Sequence, residues 1–349
     1  MINNFFFSTE ILCWFRENGR DLPWRETKDP YAIWLSEIIL QQTRIVQGWE
    51  YWERFMQTYP KVEDLAAASE DDVLKLWQGL GYYSRARNLH AAAKQIVALG
   101  SFPNTLDGIK SLKGVGDYTA AAIGSFAFDI PAAVVDGNVY RVLSRYFGID
   151  TPINSTQGKK EFAALAQSLL PASDAASYNQ GMMDFGAIQC TPQSPKCLLC
   201  PLAETCEALR CGRVEELPVK NKTVKVKTRH LSYIYIRCKS SVADGAENTE
   251  PMIAIHRRGE GDIWQGLWEP YNVSDVKELP SFVKNPILLA KDVKHVLTHR
   301  ILLADFYLLE TETCPQLPDD YIWIKESEIE DYGVPRLIEI MLEKINPAE

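Results

Sequence analysis

One run of residues organises the chain: AIWLSEIILQQT, residues 32–43. Apolar residues fall on nearly every side of a helix built from this run, which predicts a buried helix. Glu37 lies among those apolar side chains. Because burial disfavours a charged carboxylate, we expect the pKa of Glu37 to be raised. A carboxyl group that keeps its proton at neutral pH can serve as a general acid.

Gln41, Gln42 and Thr43 close this run. We expect Gln41 to lie one helical turn after Glu37, on roughly the same face. A proton donor followed by amides suited to base edges suggests a pocket that handles a nucleobase. Taken alone, however, such a run more often holds a structural glutamate paired with a basic side chain elsewhere.

Composition limits the class of protein. The 349 residues are 46% hydrophobic and 24% charged, which is typical of a globular chain with two or three domains. The apolar runs are too short to span a membrane, and no basic region precedes the apolar residues 1–7, so we expect a cytoplasmic protein without a signal peptide. The net charge of −9 argues against a broad basic surface for nucleic acid, so phosphate contacts would have to be local.

Two glycine-containing loops are candidate nucleic-acid contacts. In residues 79–88, GLGYYSRARN, Leu80 and Tyr82 stand near arginines, a combination that suits unstacked bases. Tyrosines packed under a loop are the alternative there. In residues 112–120, LKGVGDYTA, Gly114 and Gly116 allow a tight turn whose N–H groups, with the next helix's N-terminus, would bind an anion. An ordinary turn between helices is the alternative.

Asp136 is the second candidate carboxylate. It ends the apolar run 132–135 and precedes helical periodicity, which places it like an N-cap. Because free N–H groups and the helix dipole favour an anion there, we expect the pKa of Asp136 to be lowered. A neutral acid and a charged carboxylate are the usual pair for glycosidic cleavage, whereas a purely structural cap is the simpler alternative.

Four cysteines give the strongest single signal. They follow the spacing C-x6-C-x2-C-x5-C at Cys190, Cys197, Cys200 and Cys206. Thiolates at such spacings bind a metal or a cluster, and iron–sulfur and zinc are the candidates.

The C-terminal third has a different sequence pattern. Strand-like stretches occur at 230–238, 251–257, 293–297 and 301–309, and helical character follows at 326–345. We therefore predict a separate α+β domain in this part of the chain.

Together these motifs resemble the adenine DNA glycosylase (MutY) family, within the helix-hairpin-helix superfamily. The similarity covers nearly the whole chain. It implies an all-α helix-hairpin-helix glycosylase module with an iron–sulfur loop at 1–212, a linker at 213–229 and an α+β Nudix-like domain at 230–349. The residues that carry it are Pro23-Trp24-Arg25, Leu35-Ser36-Glu37, residues 40–43, 79–83 and 114–116, Val135-Asp136-Gly137-Asn138-Val139, Arg141 and the four cysteines.

The resemblance implies excision, by base flipping, of adenine mispaired with 8-oxoguanine, or less efficiently with guanine, in double-stranded DNA. Glu37 would protonate the adenine, and Asp136 would stabilise the oxocarbenium-like sugar. The resemblance also implies that Tyr118 and Asn138 contact the sugar and the acid, that Arg25 contacts the adenine in its pocket, and that the four cysteines ligate a [4Fe–4S] cluster. The remaining implied roles are contacts with DNA: those around 8-oxoguanine and the wedge by Gln42, Thr43, Leu80 and Tyr82, and further contacts by Gln41, Gly114 and Gly116.

Two positions refine this expectation. Bifunctional relatives such as endonuclease III carry a lysine nucleophile where this chain has Tyr118, which cannot form a Schiff base, so the resemblance implies a monofunctional enzyme. The family reads 8-oxoguanine with a Phe-Ser-His loop in its Nudix-like domain. Here the loop is Leu297-Thr298-His299, which lacks the aromatic residue but keeps a hydroxyl at Thr298, and we expect Thr298 and His299 to contact DNA.

Two alternatives remain at this point, an endonuclease III-like glycosylase–lyase and a non-catalytic iron–sulfur DNA-binding protein. We expect a monomer that is associated with the nucleoid in the bacterial cytoplasm, does not bind membranes, and has DNA containing A:8-oxoG or A:G mispairs as its partner.

Overall fold

The computed structural model describes residues 4–221, 226–239, 250–273 and 282–346. The contacts divide the chain into two compact units. The first comprises Met1–Ala67 and Ala91–Lys222, and the second comprises Ala68–His90 and Thr223–Glu349. Residues 68–90 therefore group with the C-terminal residues, although the sequence predicts them as part of the N-terminal module. The predicted linker at 213–229 includes residues 222–225, which lie outside the described residues, and its boundaries stay a prediction.

Helices form most of the first unit and also contribute to the second. None of the helices in the described ranges is both long and apolar enough to cross a membrane. In chain order they are α1 (Asn4–Asn18), α2 (Pro30–Ile39), α3 (Ile45–Thr58), α4 (Val62–Ala67), α5 (Glu70–Leu76), α6 (Ser84–Leu99), α7 (Leu106–Lys110), α8 (Asp117–Phe128), α9 (Gly137–Phe147), α10 (Thr156–Leu169), α11 (Ala175–Asp184), α12 (Glu207–Arg210) and α13 (Arg336–Ile345).

Helix α2 is the predicted buried helix. The Asp29 side chain caps it by accepting a hydrogen bond from the Tyr31 backbone N–H at 3.0 Å, and every residue from Tyr31 to Ile39 is buried. The helix ends at Ile39, earlier than the sequence predicts. Residues 40–43 form a turn with Gln42 at φ 59°, so the predicted helical placement of Gln41 one turn after Glu37 is wrong. The amides follow the helix instead of continuing it.

A helical hairpin lies between α7 and α8. Helix α7 is capped by the Thr105 hydroxyl, which accepts from the Gly108 N–H at 3.2 Å. The turn that follows contains Gly114 at φ 77°, a left-handed conformation that favours glycine, and Gly116 is the N-cap of α8. The glycine motif therefore forms a tight loop that leads directly into the first turn of α8.

Two apolar clusters fix the helices of the first unit. One joins α1, α9, α10 and α11 around Phe7, Leu143, Phe162 and Tyr178. The other packs Ile33 of α2 against α8 and the extended segment 132–134. Since α2 contacts α8, and α8 and α9 both contact α11, the helices that carry Glu37, Tyr118 and Asp136 share one packed core.

Among its described residues, the second unit contains a mixed sheet of seven strands. Strands β1 and β6 pair in parallel, the other pairs are antiparallel, and the main order is β3-β2-β1-β6-β5, with β4 on β1 and β7 on β2. Helix α13 packs its apolar face on the sheet. The strands are β1 (Lys227–Cys238), β2 (Met252–Arg257), β3 (Trp268–Glu269), β4 (Tyr271–Val273), β5 (Ile287–Val296), β6 (Arg300–Thr311) and β7 (Tyr321–Lys325).

Candidate active site

Glu37 is a buried carboxyl group held by a tyrosine. Its residue is only 6% exposed, and the Tyr118 hydroxyl donates a hydrogen bond to Glu37 Oε2 at 2.9 Å. Burial raises the pKa of Glu37 to about 7. The hydrogen bond from Tyr118 opposes this rise, the charge of Asp136 adds to it, and the charge of Arg25 opposes it. The predicted upward direction is confirmed, and Glu37 is close to half protonated at neutral pH.

Tyr118 lies in the first turn of α8, directly after the hairpin. Burial raises the pKa of its phenol well above the ordinary value, and the charges of Glu37 and Asp136 raise it further. The phenol therefore stays protonated and keeps donating to Glu37. Because Oε2 is the acceptor, Oε1 is the carboxyl oxygen left to carry a transferable proton.

Asp136 is the N-cap of α9, as predicted. Its Oδ1 accepts from the Val139 backbone N–H at 2.8 Å, and its Oδ2 accepts from Asn138 Nδ2 at 2.8 Å. The predicted lowering of its pKa is wrong, because burial raises the pKa by more than these hydrogen bonds and the charge of Arg141 lower it. The sequence identifies the cap, whereas the depth of burial depends on the packing of other helices.

Arg141 fixes the orientation of the asparagine beside Asp136. Its Nη2 donates to Asn138 Oδ1 at 2.8 Å and to the Gly186 carbonyl at 2.7 Å, and its Nε donates to the Cys190 carbonyl at 2.8 Å. Since Oδ1 faces an obligate donor, the amide must present its NH₂ group to Asp136. The carboxylate is thus linked through two side chains to the start of the cysteine loop.

Gly186 makes this arrangement sterically feasible. A Cβ atom at this position would lie 2.5 Å from the Cβ of Asn138. Gly186 belongs to a single π-helical turn, Phe185–Gln189, that continues α11. Gly186 stands in no recognisable glycine motif, so no pattern in the sequence predicts its role.

Arg25 is held by an aspartate that the sequence analysis also missed. Its Nη1 and Nη2 each donate to one Asp184 oxygen at 2.8 Å, and Arg20 Nε donates to Oδ1 at 2.9 Å. Asp184 is fully buried. Burial alone would raise its pKa, but these hydrogen bonds from Arg25 and Arg20 hold the pKa below its usual range. Because Asp184 is 159 residues from Arg25 in the sequence, no local pattern predicts that they form an ion pair.

The other predicted residues lie in two groups. In the first unit, Gln41 Nε2 donates to Thr119 Oγ1 at 3.3 Å, next to Tyr118, and Gln42 is exposed in the turn after α2. Thr43 Oγ1 reaches the Gln41 carbonyl at 3.5 Å.

In the second unit, Leu80 is buried and Tyr82 is 47% exposed, and the hydroxyls of Tyr82 and Thr298 form a hydrogen bond. Thr298 and His299 are exposed and form the turn between β5 and β6, which the Leu297 N–H closes by donating to the Arg300 carbonyl at 2.8 Å.

The four cysteines line one cavity, together with Arg145, Gln189 and neighbouring residues. Burial raises the pKa of Cys200 to about 11 and also raises those of Cys197 and Cys206, so the thiolates of these three residues need positive charge to offset their desolvation. Arg145 Nη1 supplies part of it at 3.4 Å from Cys190 Sγ. Within the described ranges, no three His, Cys, Asp or Glu side chains are grouped to hold one metal ion. Four cysteine thiols around one cavity are the donor set that iron–sulfur clusters use.

Comparison with family profiles gives three matches along the chain. Residues 35–171 match the profile described as HhH-GPD superfamily base excision DNA repair protein. Residues 190–206 match the iron–sulfur binding domain of endonuclease III, and residues 246–344 match a NUDIX domain. These matches confirm the predicted fold class and the predicted iron–sulfur cofactor.

Individual relatives decide the family. An adenine DNA glycosylase of Buchnera aphidicola subsp. Schizaphis graminum is 31% identical over 352 residues, which are 97% of this chain and 98% of the relative. The chain belongs to the adenine DNA glycosylase family. The mouse adenine DNA glycosylase is 42% identical over 226 residues, which are 61% of this chain and 44% of the mouse protein. The predicted enzyme class, a hydrolase acting on N-glycosyl bonds, is confirmed by this membership.

Solved structures support the fold of the helical part. A thermostable thymine-DNA glycosylase matches with a TM-score of 0.56 and 34% identity, over 60% of this chain and 97% of that one. An endonuclease III trapped on DNA matches with a TM-score of 0.53 and 22% identity, over 61% of this chain and 99% of that one. At that identity the second similarity shows the fold alone.

Proposed function

We propose that this protein removes adenine opposite 8-oxoguanine, or less efficiently opposite guanine, from duplex DNA and leaves the strand uncut. One observation carries the proposal. Glu37 has a pKa of about 7 and lies close enough to Asp136 for the charge of Asp136 to raise that pKa. A proton donor and an anion held together in this way suit cleavage of a bond whose leaving group needs a proton and whose sugar becomes positive.

In the proposed reaction, Glu37 gives its proton to a ring nitrogen of the flipped adenine. The N-glycosidic bond then breaks, and its electron pair leaves with the neutral base. Asp136 stabilises the positive charge that develops on the sugar. Water then adds to the sugar carbon and loses one proton, which returns Glu37 to its acid form and leaves an abasic site. The base must leave the stack first, because its bond to the sugar cannot be reached inside a duplex.

Tyr118 supports the monofunctional part of the proposal. It stands where glycosylase–lyases of the superfamily carry their lysine, and its hydroxyl is committed to Glu37 at 2.9 Å. A phenol cannot form the Schiff base that strand cleavage requires. In the proposal Tyr118 holds Glu37 in place while Asn138 holds Asp136.

Contacts with DNA complete the proposal. The Thr298 hydroxyl, which meets that of Tyr82, would read 8-oxoguanine with help from His299. Gln41, Gln42, Thr43 and Leu80 would contact the bases, Arg25 would line the adenine pocket, and the hairpin at Gly114 and Gly116 would bind a phosphate through backbone N–H groups. We further propose that the protein acts as a monomer in the bacterial cytoplasm, at the nucleoid.

The [4Fe–4S] cluster would be held by Cys190, Cys197, Cys200 and Cys206. When bound, it supplies positive charge that offsets the desolvation of half-buried thiolates. The chain's own contribution is to anchor that loop, since Arg145 donates to the Thr191 and Pro192 carbonyls at 2.7 and 3.0 Å.

The test is single-turnover excision from three duplexes in which adenine faces 8-oxoguanine, guanine or thymine. We expect release fastest opposite 8-oxoguanine and slowest opposite thymine, with strand breaks only after alkali. Glu37→Gln should abolish release, whereas the matched change at the exposed Glu63, Glu63→Gln, should not. Adenine release by Glu37→Gln at the wild-type rate would refute the acid role. Covalent trapping by borohydride would support the glycosylase–lyase alternative.

A further inference from the structure

The loop of residues 79–83 adopts a costly backbone conformation. Gly79, Gly81 and Tyr82 all lie in the left-handed region, at φ 95°, 70° and 47°. For a non-glycine residue such as Tyr82, this conformation persists only where surrounding contacts hold it. Part of that support is local, since Trp77 Nε1 donates to the Gly81 carbonyl at 3.0 Å and the half-buried Arg85 donates through Nη2 to the Leu80 carbonyl at 3.3 Å.

The rest of the support comes from the C-terminal end of the chain. Gln78, directly before the loop, donates through Nε2 to Glu339 Oε1 and accepts through Oε1 from the Val334 N–H at 3.2 Å. One turn earlier, Lys75 Nζ donates to the Tyr332 carbonyl at 3.3 Å. Both amide groups of the Gln78 side chain are thus used, and both partners lie in or next to α13.

Helix α13 and the sheet beneath it also hold the Tyr82 end of the loop. Helix α13 packs through Leu337, Ile338 and Met341 on the sheet that contains β6. The turn between β5 and β6 carries Thr298, whose hydroxyl bonds that of Tyr82. The loop is therefore fixed at Gln78 by α13 and at Tyr82 by the β5–β6 turn, two parts of one packed unit.

We propose that Gln78 is a positioning residue that joins this loop to α13. Through this contact the C-terminal part of the second unit sets the conformation of the loop, and with it the discrimination between 8-oxoguanine and guanine. This inference rests on the proposed function. Gln78 itself touches no reacting atom. It acts by keeping the Tyr82 hydroxyl against Thr298, which a shift of the loop would separate.

An exchange of amide and acid tests the contact. Gln78→Glu places a carboxylate against Glu339, whereas the added change Glu339→Gln restores one donor and one acceptor at the same two positions. Glu343→Gln is the matched control, because Glu343 lies on α13 and pairs with Arg336 at 3.0 Å. The readout is the ratio of single-turnover rates opposite 8-oxoguanine and guanine, with hydrogen exchange of residues 79–83 measured on the same proteins.

We expect the ratio to fall about tenfold in Gln78→Glu and to return to within about twofold of wild type in the double variant, with the control unchanged; a tenfold change is about 1.4 kcal/mol. Exchange in the loop should rise and recover in parallel. A wild-type ratio in Gln78→Glu, or no recovery in the double variant, overturns the inference. If the wild-type protein shows no preference for 8-oxoguanine, the proposed function fails instead, and the exchange data still decide whether α13 holds the loop.

Discussion

Replacing Glu37 by glutamine should stabilise the protein at alkaline pH and have a smaller effect at acid pH. In the folded protein the carboxyl group is buried, and its pKa rises from the ordinary value of 4.5 to about 7. A raised carboxyl pKa means that the folded state binds more protons than the unfolded state between these two values. Stability is therefore full below about pH 4.5 and is lost as the pH rises through 7.

The size of the effect follows from the displacement of the pKa. Moving it from 4.5 to about 7 corresponds to about 3 kcal/mol, lost progressively as the pH rises. Little discount for solvent screening applies, because Glu37 is only 6% exposed. Glutamine has nearly the same shape, cannot ionise, and can still accept the hydrogen bond from Tyr118, so Glu37→Gln should avoid this loss.

Urea unfolding at pH 5, 6, 7, 8 and 9 measures the difference between wild type and Glu37→Gln. We expect the advantage of the variant to grow by about 2.5 kcal/mol across this range, because part of the loss has already occurred at pH 5, and to level off above pH 8. Glu63→Gln, at an exposed side chain, controls for the general effect of replacing an acid by an amide. A difference that does not change with pH would refute the argument that burial raises the pKa of Glu37 in the folded protein.

Four further outcomes follow from the same contacts. Tyr118→Phe removes a hydrogen bond that lowers the pKa of Glu37, so the alkaline limb of the pH–rate profile should move to higher pH; an unmoved limb would contradict this. Asp136→Asn removes a charge that raises the same pKa, so the alkaline limb should move to lower pH. The same change should remove about 2–4 kcal/mol of transition-state stabilisation and so slow single-turnover excision. Gly186→Ala places a methyl group 2.5 Å from the Cβ of Asn138, so it should lower the free energy of unfolding in urea by about 1–3 kcal/mol and slow adenine excision. Cys200→Ala should lose iron in metal analysis and lower the unfolding free energy, and a variant with full iron content would argue against ligation by Cys200.

The positions that the sequence predicted best are those whose signal is local. Asp136 ends an apolar run just before a helix, and its capping bond to the Val139 N–H is present. Glu37 stands in a run without a polar face, and it is buried. Both inferences need only the periodicity of a helix and the chemistry of its first turn.

The positions that the sequence missed depend on distant partners. Asp184 and Gly186 carry no motif, yet one neutralises Arg25 and the other makes room for Asn138. The error over the pKa of Asp136 has the same origin. A cap can be read from neighbouring residues, but how much water reaches it depends on helices that are far away in the chain.

The sequence by itself determined the helical module, the cysteine loop, the strand-rich C-terminal part, the buried position of Glu37 and the N-cap at Asp136, because periodicity, spacing and capping act over a few residues. Only the tertiary structure decided which carboxyl groups gain or lose protons, which way the Asn138 amide points and which unit holds residues 68–90. Desolvation and hydrogen-bond partners are properties of the space around a side chain, and that space is filled by residues that no local pattern connects.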